Sequence, residues 1–339
     1  MNSDLKKKKR LAIRLFTVFA LNLFHGSAYA DECPSGDFAQ FLPVYYSNIE
    51  AQQRLTAMTV MALALKYSDE PGKIEPKTMA VDRSTLAFPI MMPIEKDKTK
   101  DVQVEQVDVN HVTVVDKRTG NSHIKIFNFS RQTCWSLEGV EDWSISENHL
   151  VASSKPSMST AENFCFQRAQ AYEELGATGQ YRLTGELFEA SLENYLCAAA
   201  SGDPEASLNA ASLSLSGMAL QLETKKVEAL LKAAATTLAE GAASLSTFYC
   251  YGNNAASQGT CERPDQAEKE LIRAASMGSV DATNYLGRSF EKGELATHDI
   301  SRAIACYRLA ASKGNRVAVN NLNRLKKQAA DVSNASSCY

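Results

Sequence analysis

A short pattern recurs through the second half of this chain, and few folds tolerate it. Ala198-Ala199-Ala200-Ser201-Gly202-Asp203-Pro204-Glu205-Ala206, Ala274-Ala275-Ser276-Met277-Gly278-Ser279-Val280-Asp281-Ala282 and Ala310-Ala311-Ser312-Lys313-Gly314-Asn315-Arg316-Val317-Ala318 all spell AAxxGxxxA. A degenerate copy runs from Ala234 to Gly241 and reads as carrying a three-residue insertion. Glycines 202, 241, 278 and 314 are then 39, 37 and 36 residues apart. A period of that length is the signature of a two-helix unit repeated along a solenoid.

The residue types give the pattern a physical sense. Paired alanines let one helix approach its neighbour closely, and glycine ends that helix in a left-handed cap. Large residues three or four positions earlier fill the space between hairpins, as in Ala303 to Tyr307 to Ala310, Ala267 to Leu271 to Ala274 and Val227 to Leu231 to Ala234. Downstream, Leu286-Gly287, Phe290 and Gly293 complete the unit. One hairpin cannot bury its apolar face alone, whereas four stacked ones can, leaving a concave surface lined by the first helix of each unit.

From Val280 to Gly314 the residues Ala282, Leu286, Gly287, Phe290, Gly293, Ala303, Tyr307, Ala310, Ala311 and Gly314 resemble the Sel-one-like repeat family, relatives of the tetratricopeptide repeats. The resemblance covers about 160 to 328. It implies an all-α solenoid that binds other proteins, with no shared reaction. Cys306 stands where the family has an aromatic, the unit from Leu222 to Gly241 is atypical, and the first hairpin has an irregular connection between Gly176 and Gly185.

At the other end, six basic residues from Lys6 to Arg14 precede an apolar run from Leu15 to Phe24 and then Ala28-Tyr29-Ala30. That order predicts a signal peptide over residues 1–30, cleaved after Ala30. The run is shorter than the ~20 residues a spanning helix needs, so no stable membrane anchor is expected. Cleavage removes six basic residues and Asp4 and moves the net charge from −3 to −8. An acidic export product lacks the basic footprint that nucleic acid requires. The predicted location is the periplasm or the exterior.

The character of the chain changes near Pro156, which places a boundary within 147–160: an α+β domain over 31–150, a linker over 151–159, the solenoid over 160–328 and a tail over 329–339. Asp37 is a helix cap for Phe38, Phe41, Leu42, Tyr45 and Ile49, which recur at helical spacing. Strands are expected over Leu86–Met92, Val102–Val115, His123–Phe129 and Thr133–Leu137, with a hairpin connection at 116–121. Two slips in the valine alternation of 102–115 suggest bulges and a curved sheet. A helix on a curved antiparallel sheet, ending in Cys134-Trp135 and Trp143-Ser144, resembles the cone-shaped nuclear-transport-factor-like domains. Such cones often hold a pocket, so small-ligand binding there is one alternative function. With the hairpin centred near Arg118, residue 111 would face about 126 and 123 about 114, which keeps His111 and His123 apart. No metal or cofactor site is expected, and Trp135 and Trp143 read as packing residues.

All eight cysteines (33, 134, 165, 197, 250, 261, 306 and 338) lie in the exported part, and an even count there favours disulfides. Cys250 and Cys261 flank one loop, and Cys165 and Cys197 are about equally far from the loop near 180. Cys33 with Cys134 and Cys306 with Cys338 remain, among roughly a hundred possible pairings. Ser289-Phe290-Glu291-Lys292 spells SxxK, but the Lys-Thr-Gly and Ser-Asp-Asn partners of a penicillin-recognising site are absent. No catalytic residue is assigned, and a cell-wall enzyme or β-lactam-binding protein is the competing class. The expected function is an exported adaptor that binds another protein on the concave face. The resemblance extends this to a periplasmic immunity or inhibitor protein that neutralises a delivered toxin. The pattern leaves polar first-helix residues Asn209, Ser212, Asn284 and Arg288 free to make the contact.

Overall fold

A computed structural model of the chain describes residues 33–68, 73–95, 100–117, 124–150, 155, 158–253, 260–328 and 337–339. The leader over 1–30, most of the 116–121 connection, His123, most of 151–157 and most of the tail lie outside the described residues.

The first helix forms where its spacing requires. Asp37 accepts the Ala39 N–H at the start of α1 (Phe38–Ser47), and Asn48 ends α1 and caps α2 (Ile49–Arg54). The structure then departs from the sequence reading. Two unforeseen strands follow: β1 (Thr56–Tyr67) and β2 (Ile74–Asp82). Residues 86–92, expected as a strand, contain none. Their backbone is held instead by the fully buried Gln52, whose Nε2 donates to Met91 O at 2.7 Å while Oε1 accepts from Ile90 N at 2.8 Å. The 102–115 segment is two strands, β3 (Val102–Asp108) and β4 (His111–Asp116), so the slip in alternation marks a tight turn at 109–110.

Strand β4 pairs with β5 (Lys125–Arg131), and β5 with β6 (Trp135–Asp142). Val114 faces Phe127 and His111 faces Ser130, so the hairpin is centred beyond Arg118 and the expected register of 111 with 126 is wrong. The six strands run in the order β2-β1-β6-β5-β4-β3, with β1 parallel to β6. One face buries Val112, Val114, Phe127, Phe129 and Leu137 under Phe38, Phe41 and Tyr45 of α1. Edge-on ring contacts of 5.0–5.2 Å join Phe38 to Trp135 and to Phe129, and Tyr45 to Phe129.

Among the described residues nine helices follow: α3 (Thr160–Ala177), α4 (Thr184–Ala198), α5 (Pro204–Ser216), α6 (Thr224–Ala235), α7 (Ala239–Tyr251), α8 (Pro264–Ser276), α9 (Val280–Lys292), α10 (Ile300–Ser312) and α11 (Arg316–Gln328). The recurring pattern is the turn between a second helix and the next first helix. Gly278 and Gly314 have φ of 100° and 89°. Ser279 N donates to Ala274 O and Gly278 N to Ala275 O, and Asn315 and Gly314 repeat both bonds on Ala310 and Ala311. The alanine pair thus supplies the two carbonyls that close a Schellman cap. The residue after the glycine opens the next helix: Asp203, Ser279 and Asn315 accept the N–H of Ala206, Ala282 and Ala318 at 2.8–3.1 Å.

The degenerate unit corrects the alignment. Gly241 is no cap, because it lies inside α7, and its turn is one residue shorter than the others rather than three longer. Leu238, three residues after Ala235, opens α7 without a side-chain cap; Ser279 follows Ala275 by four. Gly241 is therefore the counterpart of Ala282, at a place where a Cβ would lie 2.6 Å from the Ala234 carbonyl carbon. The shorter turn draws α6 and α7 so close that alanine no longer fits.

The first hairpin serves two cores. Tyr172, Leu175, Leu183 and Leu187 pack on the second face of the sheet against Leu65, Val115, Ile126, Trp143 and Ile145, while Ala169, Phe188, Leu192 and Tyr195 pack toward α5. Tyr172 donates its hydroxyl to Trp143 O at 2.9 Å, and Arg168 Nε donates to Ile145 O at 3.0 Å. Cystines join Cys33 to Cys134, Cys165 to Cys197, Cys250 to Cys261 and Cys306 to Cys338. They respectively tie the start of the described chain to the sheet, α3 to α4, the two ends of the α7–α8 loop, and the tail to α10. Among the described residues no helix is long and apolar enough to cross a membrane.

Candidate functional site

Stacking equivalent helices puts equivalent positions in rows. The eighth residue after the start of α5, α7, α9 and α11 is Ser212, Thr247, Arg288 and Arg324, and all four are exposed. The next residue in each helix, Leu213, Phe248, Ser289 and Leu325, is buried. Two turns toward each N-terminus runs a buried row of small residues, Ala206, Gly241, Ala282 and Ala318. One face of every first helix is thus spent on packing, and a parallel row stays exposed to solvent.

Contacts across that face align the last two units. Asn315 Nδ2 donates to Asp281 Oδ1 at 2.9 Å, Asn321 Nδ2 to Asn284 Oδ1 at 3.5 Å, and Arg324 grips Glu291 with two bonds of 2.6 and 2.7 Å. Tyr307, fully buried on α10, donates its hydroxyl to Glu291 at 2.8 Å. The Arg324 hydrogen bond holds the Glu291 carboxyl below the usual carboxylate range, against the opposing effect of burial. Burial, reinforced by Glu291, pushes the Tyr307 hydroxyl well above its ordinary value. At the first hairpin Tyr195 makes the same kind of bond to Glu173 at 2.6 Å.

The four predicted contact residues separate into two kinds. Ser212 and Arg288 lie on the exposed row. Arg288 is braced by Glu294 and lies over the Tyr285 ring at 5.4 Å. Asn209 and Asn284 are half-buried one turn away and are engaged with Tyr195 and Asn321. Thr247 and Arg324 were missed. Thr247 sits in the degenerate unit, and Arg324 follows the last recognisable glycine; counting eight residues from each helix start finds both. The face carries both signs of charge, with Glu205, Glu240 and Asp281 near the helix starts and Arg288 and Arg324 farther along.

Ser289 of the SxxK sequence is fully buried and its hydroxyl has no hydrogen-bond partner, while Lys292 is exposed beside Glu294 at 3.7 Å. This serine is not offered to any substrate. Trp135 and Trp143 are both 2% exposed and serve the two sheet cores. Among the described residues, no group of three or more His, Cys, Asp or Glu side chains could hold a metal ion.

No family model matches the chain, and no curated protein matches it. Solved structures do. A protective antigen present in uropathogenic Escherichia coli strains, displaying an SLR fold, is 21% identical with a TM-score of 0.38, over 47% of this chain and 34% of that one. The chain thus spans about a third of that structure's length. A Sel1 repeat protein from Oxalobacter formigenes is 29% identical with a TM-score of 0.33, over 39% of this chain and 97% of that one. This chain is similar to Sel1 repeat proteins. The likeness of the N-terminal half to nuclear-transport-factor-like cones stays a reading of the sequence.

Proposed function

We propose that this protein is an exported adaptor that binds another protein along the first-helix face of its solenoid. The observation that carries the reading is the row Ser212, Thr247, Arg288 and Arg324, exposed at one position in four successive units beside rows wholly committed to packing. A row that crosses four units offers an extended contact of the kind solenoids use. Four cystines and the basic-then-apolar leader support an oxidising compartment, the periplasm or the exterior, as the place of action. Within that class the reading is a periplasmic immunity or inhibitor protein, whose partner would be a delivered toxin.

The test is affinity capture from a native periplasmic extract with protein beginning at Asp31, disulfides formed, beside a variant carrying Ser212→Glu, Thr247→Glu, Arg288→Ala and Arg324→Ala. One stoichiometric partner is expected on the parent and not on the variant. A partner held equally by both would move the contact elsewhere, and nothing retained after cross-linking would end the adaptor reading. The immunity version further requires that the captured protein be a toxic enzyme that this chain inhibits.

A further inference from the structure

Where the first hairpin meets the sheet, two cavities of about 250 and 270 Å³ lie side by side and share Thr113 and Arg182 in their walls. A chain of side-chain hydrogen bonds runs along them. Arg182 Nη1 donates to Thr113 Oγ1 at 3.3 Å, and that hydroxyl donates to Asn128 Oδ1 at 3.1 Å. Asn128 Nδ2 then donates to Glu141 Oε1 at 3.2 Å, and Trp143 Nε1 donates to Glu141 Oε2 at 3.0 Å. Gly139, opposite Asn128, makes room for it: a Cβ there would come within 3.3 Å of the Asn128 side chain. The floor is apolar, with Leu63, Val115, Ile126 and Leu183, and Tyr181 stands edge-on to Trp143 at 5.2 Å.

Of the carboxylates in the two walls, Glu105 is paired with Arg182 and Glu186 with Lys117, which leaves Glu138 and Glu141 without an ion-pair partner among the described residues. Both oxygens of Glu141 are held by neutral donors, and Glu138 in the second cavity is held by the Ser130 hydroxyl. Neutral donors fix a carboxylate in place without cancelling its charge. Among the described residues Arg182 is the one Lys or Arg side chain in either wall; it is about half exposed and also bonds Glu105. An arginine that lines both cavities and bonds a carboxylate and a hydroxyl of their walls occupies the place that a foreign cation on an aliphatic stem would take.

We infer that this junction trough is a binding site for an alkyl-guanidinium or alkyl-ammonium group, with Arg182 as the resident cation that the ligand displaces. The aliphatic stem would lie on the apolar floor and the charged head between Glu105 and Glu141, with the Trp143 and Tyr181 rings alongside. The site is separate from the first-helix face and stands whether or not that face binds a protein.

The experiment is calorimetric titration of the full chain from Asp31 with agmatine and, separately, with a short blocked peptide carrying one arginine. Trp143 fluorescence in a Trp135→Phe background provides a second readout. Both probes present the same head group, so binding of agmatine assigns a free small cation, and binding of the peptide alone assigns a side chain offered by a protein. Glu141→Gln is expected to weaken binding about tenfold, since it removes one charge and keeps the shape. Arg182→Gln is expected to tighten binding about threefold to fivefold, because the internal competitor is gone. A merely structural arginine would give the opposite sign. Weaker binding by a folded Arg182→Gln protein, or no binding of either probe to the parent and to Arg182→Gln, overturns the proposal.

Discussion

Replacing Gly241 by alanine tests the reading of the repeat at its most demanding point. A Cβ on residue 241 would sit 2.6 Å from the Ala234 carbonyl carbon, 2.8 Å from Ala234 Cβ and 2.8 Å from Ala235 N, where ordinary contact begins at 3.4 Å. These are backbone and first-carbon atoms with no rotamer to yield, so α6 and α7 must part by the better part of an ångström. Overpacking of that kind costs about 1–3 kcal/mol. Alanine's helix propensity returns at most about 1 kcal/mol, and less in a first turn, leaving a net loss of about 1–2 kcal/mol. Guanidinium unfolding followed by far-ultraviolet circular dichroism, with disulfides intact, measures it. The counterpart Ala282 shows that alanine itself is compatible with this place in the repeat when the preceding turn is one residue longer. Inserting a glycine between Thr237 and Leu238 in the Gly241→Ala protein is therefore expected to recover most of the loss. If Gly241→Ala is neutral or stabilising, or if the insertion recovers nothing, turn length does not set the helix spacing and the correspondence of Gly241 with Ala282 fails.

Ser289→Ala is expected to leave stability unchanged or raise it by up to about 1 kcal/mol in thermal melts, because the buried hydroxyl has no partner to lose. Gln52→Ala, by contrast, strands three hydrogen bonds to residues 90–91 and should cost about 3 kcal/mol in the same assay. Arg324→Gln removes the partner that lowers the Glu291 pKa, and its effect has a pH signature. A carboxyl lowered on folding contributes stability above its unfolded value, near 4.5, and loses that contribution as pH falls through its folded value. The parent should therefore melt higher than the variant at pH 7, by an amount worth about 1 kcal/mol or less, and the difference should vanish in acid. Tyr172→Phe leaves the Trp143 carbonyl without its buried donor and should cost about 1–2 kcal/mol, with the loss seen in Trp143 emission as the sheet and first hairpin loosen.

Much of the helical half could be read from residues because its rules are local. A Schellman turn is made by six consecutive residues, so Ala274-Ala275 and Gly278, with Ser279 to start the next helix, announce themselves wherever they occur. Ser212 and Arg288 were reachable for the same reason: a fixed count along a helix decides exposure. The misreading at Gly241 has the complementary cause. A glycine that caps and a glycine that allows close approach look alike in sequence, and only the position of Ala234 across the turn separates them.

The sheet was legible only in part. Strand β1, rich in Ala, Leu and Met, has no alternation that marks it as a strand, and β2 contains Pro76 and few apolar residues, as an edge strand can. The pairing of β1 with β6, some eighty positions away, cannot be inferred from either segment alone.

By itself, then, the sequence determined the repeat, the caps, the first helix and a cysteine set fit for oxidation, because each depends on neighbours a few residues apart. Tertiary structure alone decided that the first hairpin closes the second face of the sheet, that Gln52 replaces a strand for residues 90–91, and that Arg182 crosses to Glu105 and Thr113. The Gln52 and Arg182 contacts join segments 39 to 77 positions apart, and what selects all of these is the burial of whole surfaces rather than any local preference.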